Sequence, residues 1–146
     1  MKAVTILFIL LLLSFTSFSQ QVSDKNMVGF GCSYSGESSK SAKRVIKLLK
    51  HENYDALKKD LDKGNAANQF LAVIALEKLE EIGKIELSAS EKERINKIKS
   101  SKKKISYCSG CTMWHTLSLF EAFSGSDRFG HLVLNSVTGR MSYLVD

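Results

Sequence analysis

The chain has 146 residues, 21 of them Lys or Arg, 15 Asp or Glu and none Pro, for a formal charge of +6. That length is enough for one domain once a leader is removed.

Lys2, the apolar run Ala3 to Leu13, and the small residues Ser17 and Ser19 before Gln20 have the pattern of a secretory signal peptide over 1–19. The unbroken run is shorter than the roughly 20 residues that a membrane span needs. No transmembrane segment is expected after the leader is cleaved. No cysteine follows the run closely enough for a lipid anchor, Cys32 lying too far downstream. The mature chain is therefore expected to be secreted or periplasmic. It loses only Lys2 of its charges, leaving 20 basic against 15 acidic residues, a formal +5. Such a balance suits a solvated surface or an anionic envelope component. Secretion argues against nucleic acid as a partner, and the expected partner is an unknown protein or an anionic envelope component.

Residues 20–37, rich in Ser and Gly with Phe30, Cys32 and Tyr34 interleaved, read as an extended arm. Residues 38–124 read as a helical domain. Its first helix runs from Ser39 to Lys50, capped by Ser39 or Ser41. Ala42, Val45, Ile46 and Leu49 form its apolar stripe. Asn53 caps a second, Tyr54 to Lys63, which Gly64 closes.

The stretch from Asn65 to Gly83 organises the rest. Phe70 to Leu76 is apolar without a break, and Leu79 and Ile82 continue it at helical spacing. Ala and Leu favour a helix. Asn65 can accept from the free N–H groups of the first turn, and Gly83 can end the helix in a left-handed conformation. A helix apolar on nearly all sides must be wrapped by its neighbours. Glu77, Glu80 and Glu81 read as its solvent side rather than as catalytic acids.

Ser88 and Glu91 fit a capping box for a helix carrying Ile95 and Ile98, with Leu87 as its staple. This helix has little apolar area and should be the least stable. Lys102 to Lys104 form a charged loop, and Ile105 to Cys108 a short extended segment. Trp114 to Phe123 reads as a short helix, with Leu117, Phe120 and Phe123 inward. In the tail, 125–146, His131 to Val137 and Arg140 to Val145 read as a hairpin turned at Thr138-Gly139.

Tyr54 to Leu61, Gly64-Asn65 and Phe70 to Leu79 resemble one unit of a HEAT-type helical repeat. That family joins a Leu-rich helix to an Ala-rich helix ending in an ALxxL pattern. No second copy is visible, and a solenoid needs about three repeats. The resemblance implies one helical hairpin with an interaction surface. Leader, helical core and the Cys108-Ser109-Gly110-Cys111 segment together resemble small secreted bacterial proteins without an assigned activity. The expected class is mainly α: a small helical bundle, or a HEAT-like hairpin core, with an N-terminal arm and a C-terminal β-hairpin.

Cys32, Cys108 and Cys111 allow three single bridges in an oxidising compartment, each leaving one thiol. A bridge from Cys32 to Cys108 or Cys111 would staple the arm to the segment after the last core helix. Cys108 and Cys111 could instead form a redox pair, although the surroundings lack the βαβ pattern of the oxidoreductases. Cys32, Cys108, Cys111 and His115 could also supply the Cys₃His set of structural zinc. Ser124 or Ser126 with Asp127 and His131 could be drawn as a hydrolase triad, but no nucleophile elbow accompanies them. Trp114 and Phe120 read as core anchors or, if exposed with Tyr107, as an interface. The residues converge on no catalytic set and imply no cofactor. The expected function is a non-enzymatic binding or structural module, with a thiol–disulfide redox protein or a structural zinc domain as alternatives.

Overall fold

The computed structural model describes residues 25–32, 34–110, 112–126 and 128–145. The expected leader over 1–19, Cys111 and Asp127 lie outside the described residues. Strand β1, Met27–Val28, leads to helices α1, Lys40–Lys50, α2, Tyr54–Lys63, α3, Ala66–Glu81, and α4, Ala89–Lys99. Strands β2, Lys104–Ser109, and β3, Met113–Ser118, precede helices α5, Leu119–Ser124, and α6, Arg128–Val145. The protein is mainly helical, with one three-stranded sheet of order β1-β2-β3.

Helix starts are set by local chemistry. Ser39, Asn53, Asn65 and Ser88 each accept the N–H of the residue three positions on, satisfying a donor that the first turn leaves free. Ser88 and Glu91 form the expected capping box. Gly83, just past α3, takes the left-handed conformation at φ 75°.

Helix α3 is the axis. Phe70 through Leu76 are all buried, and α1, α2, α4, α6, β1 and β2 pack around it. Phe70 lies against Phe123 of α5 with ring centroids 4.8 Å apart. Two polar clamps hold the wrapping. Arg44 of α1 donates to both carboxylate oxygens of the buried Asp60 in α2, at 2.9 and 3.0 Å. This pairing raises the Arg44 pKa, chiefly through the hydrogen bond. Buried Gln69 donates to the Leu61 carbonyl at 2.9 Å and accepts from Lys103 Nζ at 3.1 Å. It thereby links the end of α2 to the loop before β2. Glu77 and Glu80 pair with Lys99 and Lys92 of α4, and Glu81 with Lys78.

Two expected elements are different. The tail is not a hairpin: residues 128–145 form one helix, α6. Gly130, Val133, Val137, Met141 and Val145 recur every three or four positions and make a buried stripe. Packing of that stripe on α3 and α5 outweighs the turn tendency of Thr138-Gly139. Nothing would meet a Cβ at Gly139, so that glycine weakens the helix by only about 1 kcal/mol. The expected helix from Trp114 to Phe123 is instead a strand followed by a short helix. Met113–Ser118 pairs antiparallel with β2, from Ser109 opposite Met113 to Lys104 opposite Ser118. A second capping box, Ser118 with Glu121, delays the helix to Leu119.

Candidate functional site

The candidate site is the end of the sheet where the arm meets the hairpin turn. Val28 pairs in parallel with Tyr107, which brings the next residues of the arm beside Cys108. Cys32 and Cys108 form a disulfide, with Cα atoms 5.5 Å apart and a sequence separation of 76. Both are buried, Cys32 at 5% exposure and Cys108 at 1%. With Met27 they make a small apolar cluster separate from the main core.

The arm approaches so closely that position 29 admits only glycine. A Cβ there would lie far inside contact with both sulfurs and 2.7 Å from the Cys108 carbonyl oxygen. Beyond the bridge the arm turns back on itself. Cys32 N–H donates to the Glu37 carbonyl at 2.8 Å, and Gly36 supplies the left-handed residue at φ 63°. Gly110 N–H, in the hairpin turn, donates to the Gly31 carbonyl at 2.8 Å. The arm turn and the hairpin turn are thus tied side by side, covalently through the disulfide and by backbone hydrogen bonding.

Exposed aromatic and apolar side chains occur in the arm turn, at the start of β3 and at the start of α6. Tyr34, in the arm turn, is 92% exposed. Met113 and Trp114 open β3, and Phe129 and Leu132 begin α6, all four exposed. Strand alternation sorts them by face. Trp114 stands opposite Cys108 and shares its face of the sheet. His115 stands opposite Tyr107, on the face turned to the core, and stacks on Phe129 with ring centroids 3.9 Å apart. Tyr107 donates its hydroxyl hydrogen to Ser136 Oγ of α6 at 2.9 Å. It is therefore buried against the helix and not part of the exposed set.

The residues expected to carry chemistry fall in different places. Cys108 is bonded to Cys32, and Cys111 lies outside the described residues. His115 is on the opposite face from Cys108, so the strand does not bring its imidazole to the sulfurs. The Ser124 and Ser126 hydroxyls bond each other at 2.9 Å, while the His131 ring lies 3.2 Å from the Asn135 amide. Asp127, the third group of that trio, lies outside the described residues. Among the described residues no helix is long and apolar enough to cross a membrane.

Two grooves lie elsewhere. One, of about 310 Å³, is bordered by Asp62, Gln69, Arg94, Lys97 and Lys103. Asp62 pairs with Arg94 and Gln69 with Lys103, so much of its charge is already engaged. The other, of about 370 Å³, has Ile74, Phe123 and Leu134 among its walls. Lys99 sits over Phe123 at 5.6 Å and pairs with Glu77 at 2.7 Å.

Sequence reasoning singled out Trp114 and Cys32 but missed Met113, Phe129 and Leu132 as surface groups. The alternation Trp114-His115-Thr116-Leu117 after a Cys-Ser-Gly-Cys turn was the available signal. No family model matches the chain, and no curated protein or solved structure matches it either.

Proposed function

We propose that this is a non-enzymatic binding or structural module of the cell envelope or its exterior. It docks a protein partner through the braced tip and the exposed side of its small sheet. The observation that carries the reading is the buried Cys32–Cys108 bridge set beside exposed Tyr34, Met113 and Trp114. A disulfide of this kind belongs to an oxidising compartment, in keeping with the leader pattern in 1–19. Bracing the tip before binding reduces the ordering that association requires. Tyr and Trp on a Ser- and Gly-rich frame give large contact area with few rotatable bonds. The packed pair α2 and α3 supports the HEAT-type resemblance at the level of one hairpin, serving here as the core that holds the tip.

Two features count against the alternatives. Cys108 is buried and joined to Cys32, which removes the free pair that thiol exchange would use. His115 faces away from the sulfurs, which leaves the zinc set without its imidazole.

The test is site-specific photocrosslinking in the native host. A photoreactive side chain at Tyr34 or Trp114 should give discrete protein adducts, and one at Lys59 on the exposed side of α2 should not. Adducts equal at all three positions, or absent at all three, would overturn the reading.

A further inference from the structure

The two edges of the sheet are unequal. β1 is two residues long and lies against α1 and α3, so little backbone is open there. β3 is six residues long and pairs with β2 along its whole length without a bulge. Among the described residues, no hydrogen bond reaches its outer side. Its unpaired N–H and C=O groups form a ready template for another strand.

Folded proteins usually protect such an edge with charge, proline or a bulge. Met-Trp-His-Thr-Leu-Ser has no Asp, Glu, Lys, Arg or Pro. Its flanks are apolar on both faces. Met113 lies beside His115 on the core-side face, where Phe129 stacks on the imidazole and Leu132 follows one turn later on α6. Trp114 stands on the other face. Met113, Trp114, Phe129 and Leu132 are between 41% and 47% exposed.

We infer that β3 pairs antiparallel with β3 of a second copy of this chain, joining two three-stranded sheets into one. The inference rests on the reading of Met113 and Trp114 as part of the docking surface, extends it to the strand edge that carries them, and names the occupant. A two-fold axis at His115 sets Trp114 opposite Thr116 of the second copy and Met113 opposite Leu117 of the second copy. Each pair lies on one face, as antiparallel pairing demands. Trp with Thr is an aromatic and β-branched pair, which favours a sheet. The arrangement uses the same patch twice, as a two-fold interface must. An uncharged strand carries no charge to select a particular foreign peptide, while it meets its own copy without local repulsion.

Size sets the strength. Six residues span about 20 Å. A stable pair needs about 800 Å² from each partner, more than a bare strand edge provides. Met113, Trp114, Phe129 and Leu132 must therefore join the seam. The net positive charge of each copy opposes association at long range, so added salt should strengthen the dimer.

The test is sedimentation of the oxidised protein, expressed with its leader and recovered from the periplasm, from micromolar to submillimolar concentration. The wild type should pass from monomer to dimer across that range. Thr116→Lys and Thr116→Glu, on an exposed site, should each shift the transition at least about tenfold upward. An equimolar mixture of the two should associate at lower concentration than either alone. Circular dichroism matching the wild type establishes that the variants are folded. A wild type that stays monomeric, or variants that dimerise like the wild type, would overturn the inference. If the wild type is monomeric but crosslinks from Trp114 still reach another protein, the docking surface stands with a foreign occupant. If both fail, the docking reading fails with it.

Discussion

Removal of the Cys32–Cys108 bridge should take away a large part of the stability. The bridge closes a loop with a sequence separation of 76. In the chain-entropy account, a loop of that size removes about 15 cal/mol/K from the unfolded state, or about 4.5 kcal/mol at room temperature. Typical total stabilities are roughly 5–15 kcal/mol. The comparison uses Cys111→Ser as background, which prevents exchange with the third sulfur, and adds Cys32→Ala with Cys108→Ala. Urea unfolding is followed through Trp114, the single tryptophan. Its emission baseline will itself change, because it stands opposite Cys108 in the hairpin, so midpoints are compared rather than intensities. With a slope of about 2 kcal/mol/M, the midpoint should fall by about 2 M. A fall of less than about 0.5 M would refute the claim that the bridge restrains a long loop.

Three further outcomes follow from the packing and the caps. Gly29→Ala places a methyl against both sulfurs and the Cys108 carbonyl, and should lower stability by about 3 kcal/mol. In the background lacking both bridge cysteines that loss should shrink, since two of the three obstructing atoms are gone; an undiminished loss in the double-mutant cycle would contradict the assigned contact. Phe70→Ala should lower stability by about 3–5 kcal/mol, whereas Phe120→Ala, on an exposed ring, should stay within about 0.5 kcal/mol in the same denaturation assay. Acceptance of the Ser88 and Ser118 backbone N–H groups holds the carboxyls of Glu91 and Glu121 below the usual range. Their contribution is present above the unfolded glutamate value, about 4.3, and is lost as pH falls through the lower folded values. The melting temperature should therefore drop below about pH 4.5. The drop should be shallower for Glu91→Gln with Glu121→Gln, and identical profiles would sink the account of the caps.

What could be read in advance was what is decided locally. Asn65, Ser88 and Gly83 act through atoms within a few residues, and so Asn65-to-Gly83 was legible as a capped, buried helix. The continuous apolar run of α3 likewise required neighbours on all sides. β3 was misread because Leu117, Phe120 and Phe123 recur at spacing three, a helical signal. Pairing with β2, a non-local term, decides that Leu117 belongs to a strand. α6 was misread because Leu132 and Leu134 alternate with His131 and Val133, and Thr138-Gly139 offers a turn, while the stripe Val133, Val137 and Met141 acts only through packing on α3 and α5. The three sulfurs allowed three bridges on paper. The register of Val28 with Tyr107 places the arm beside Cys108 and selects one of them. The exposed edge of β3 could not be seen at all from a reading that made it helical.

The most direct test of the account is peptide mapping of the protein from its native host, under non-reducing conditions with thiols blocked at harvest. The account predicts one linked pair of peptides, carrying Cys32 and Cys108, with Cys111 as the blocked thiol. A Cys108–Cys111 link, or three blocked thiols, would contradict it.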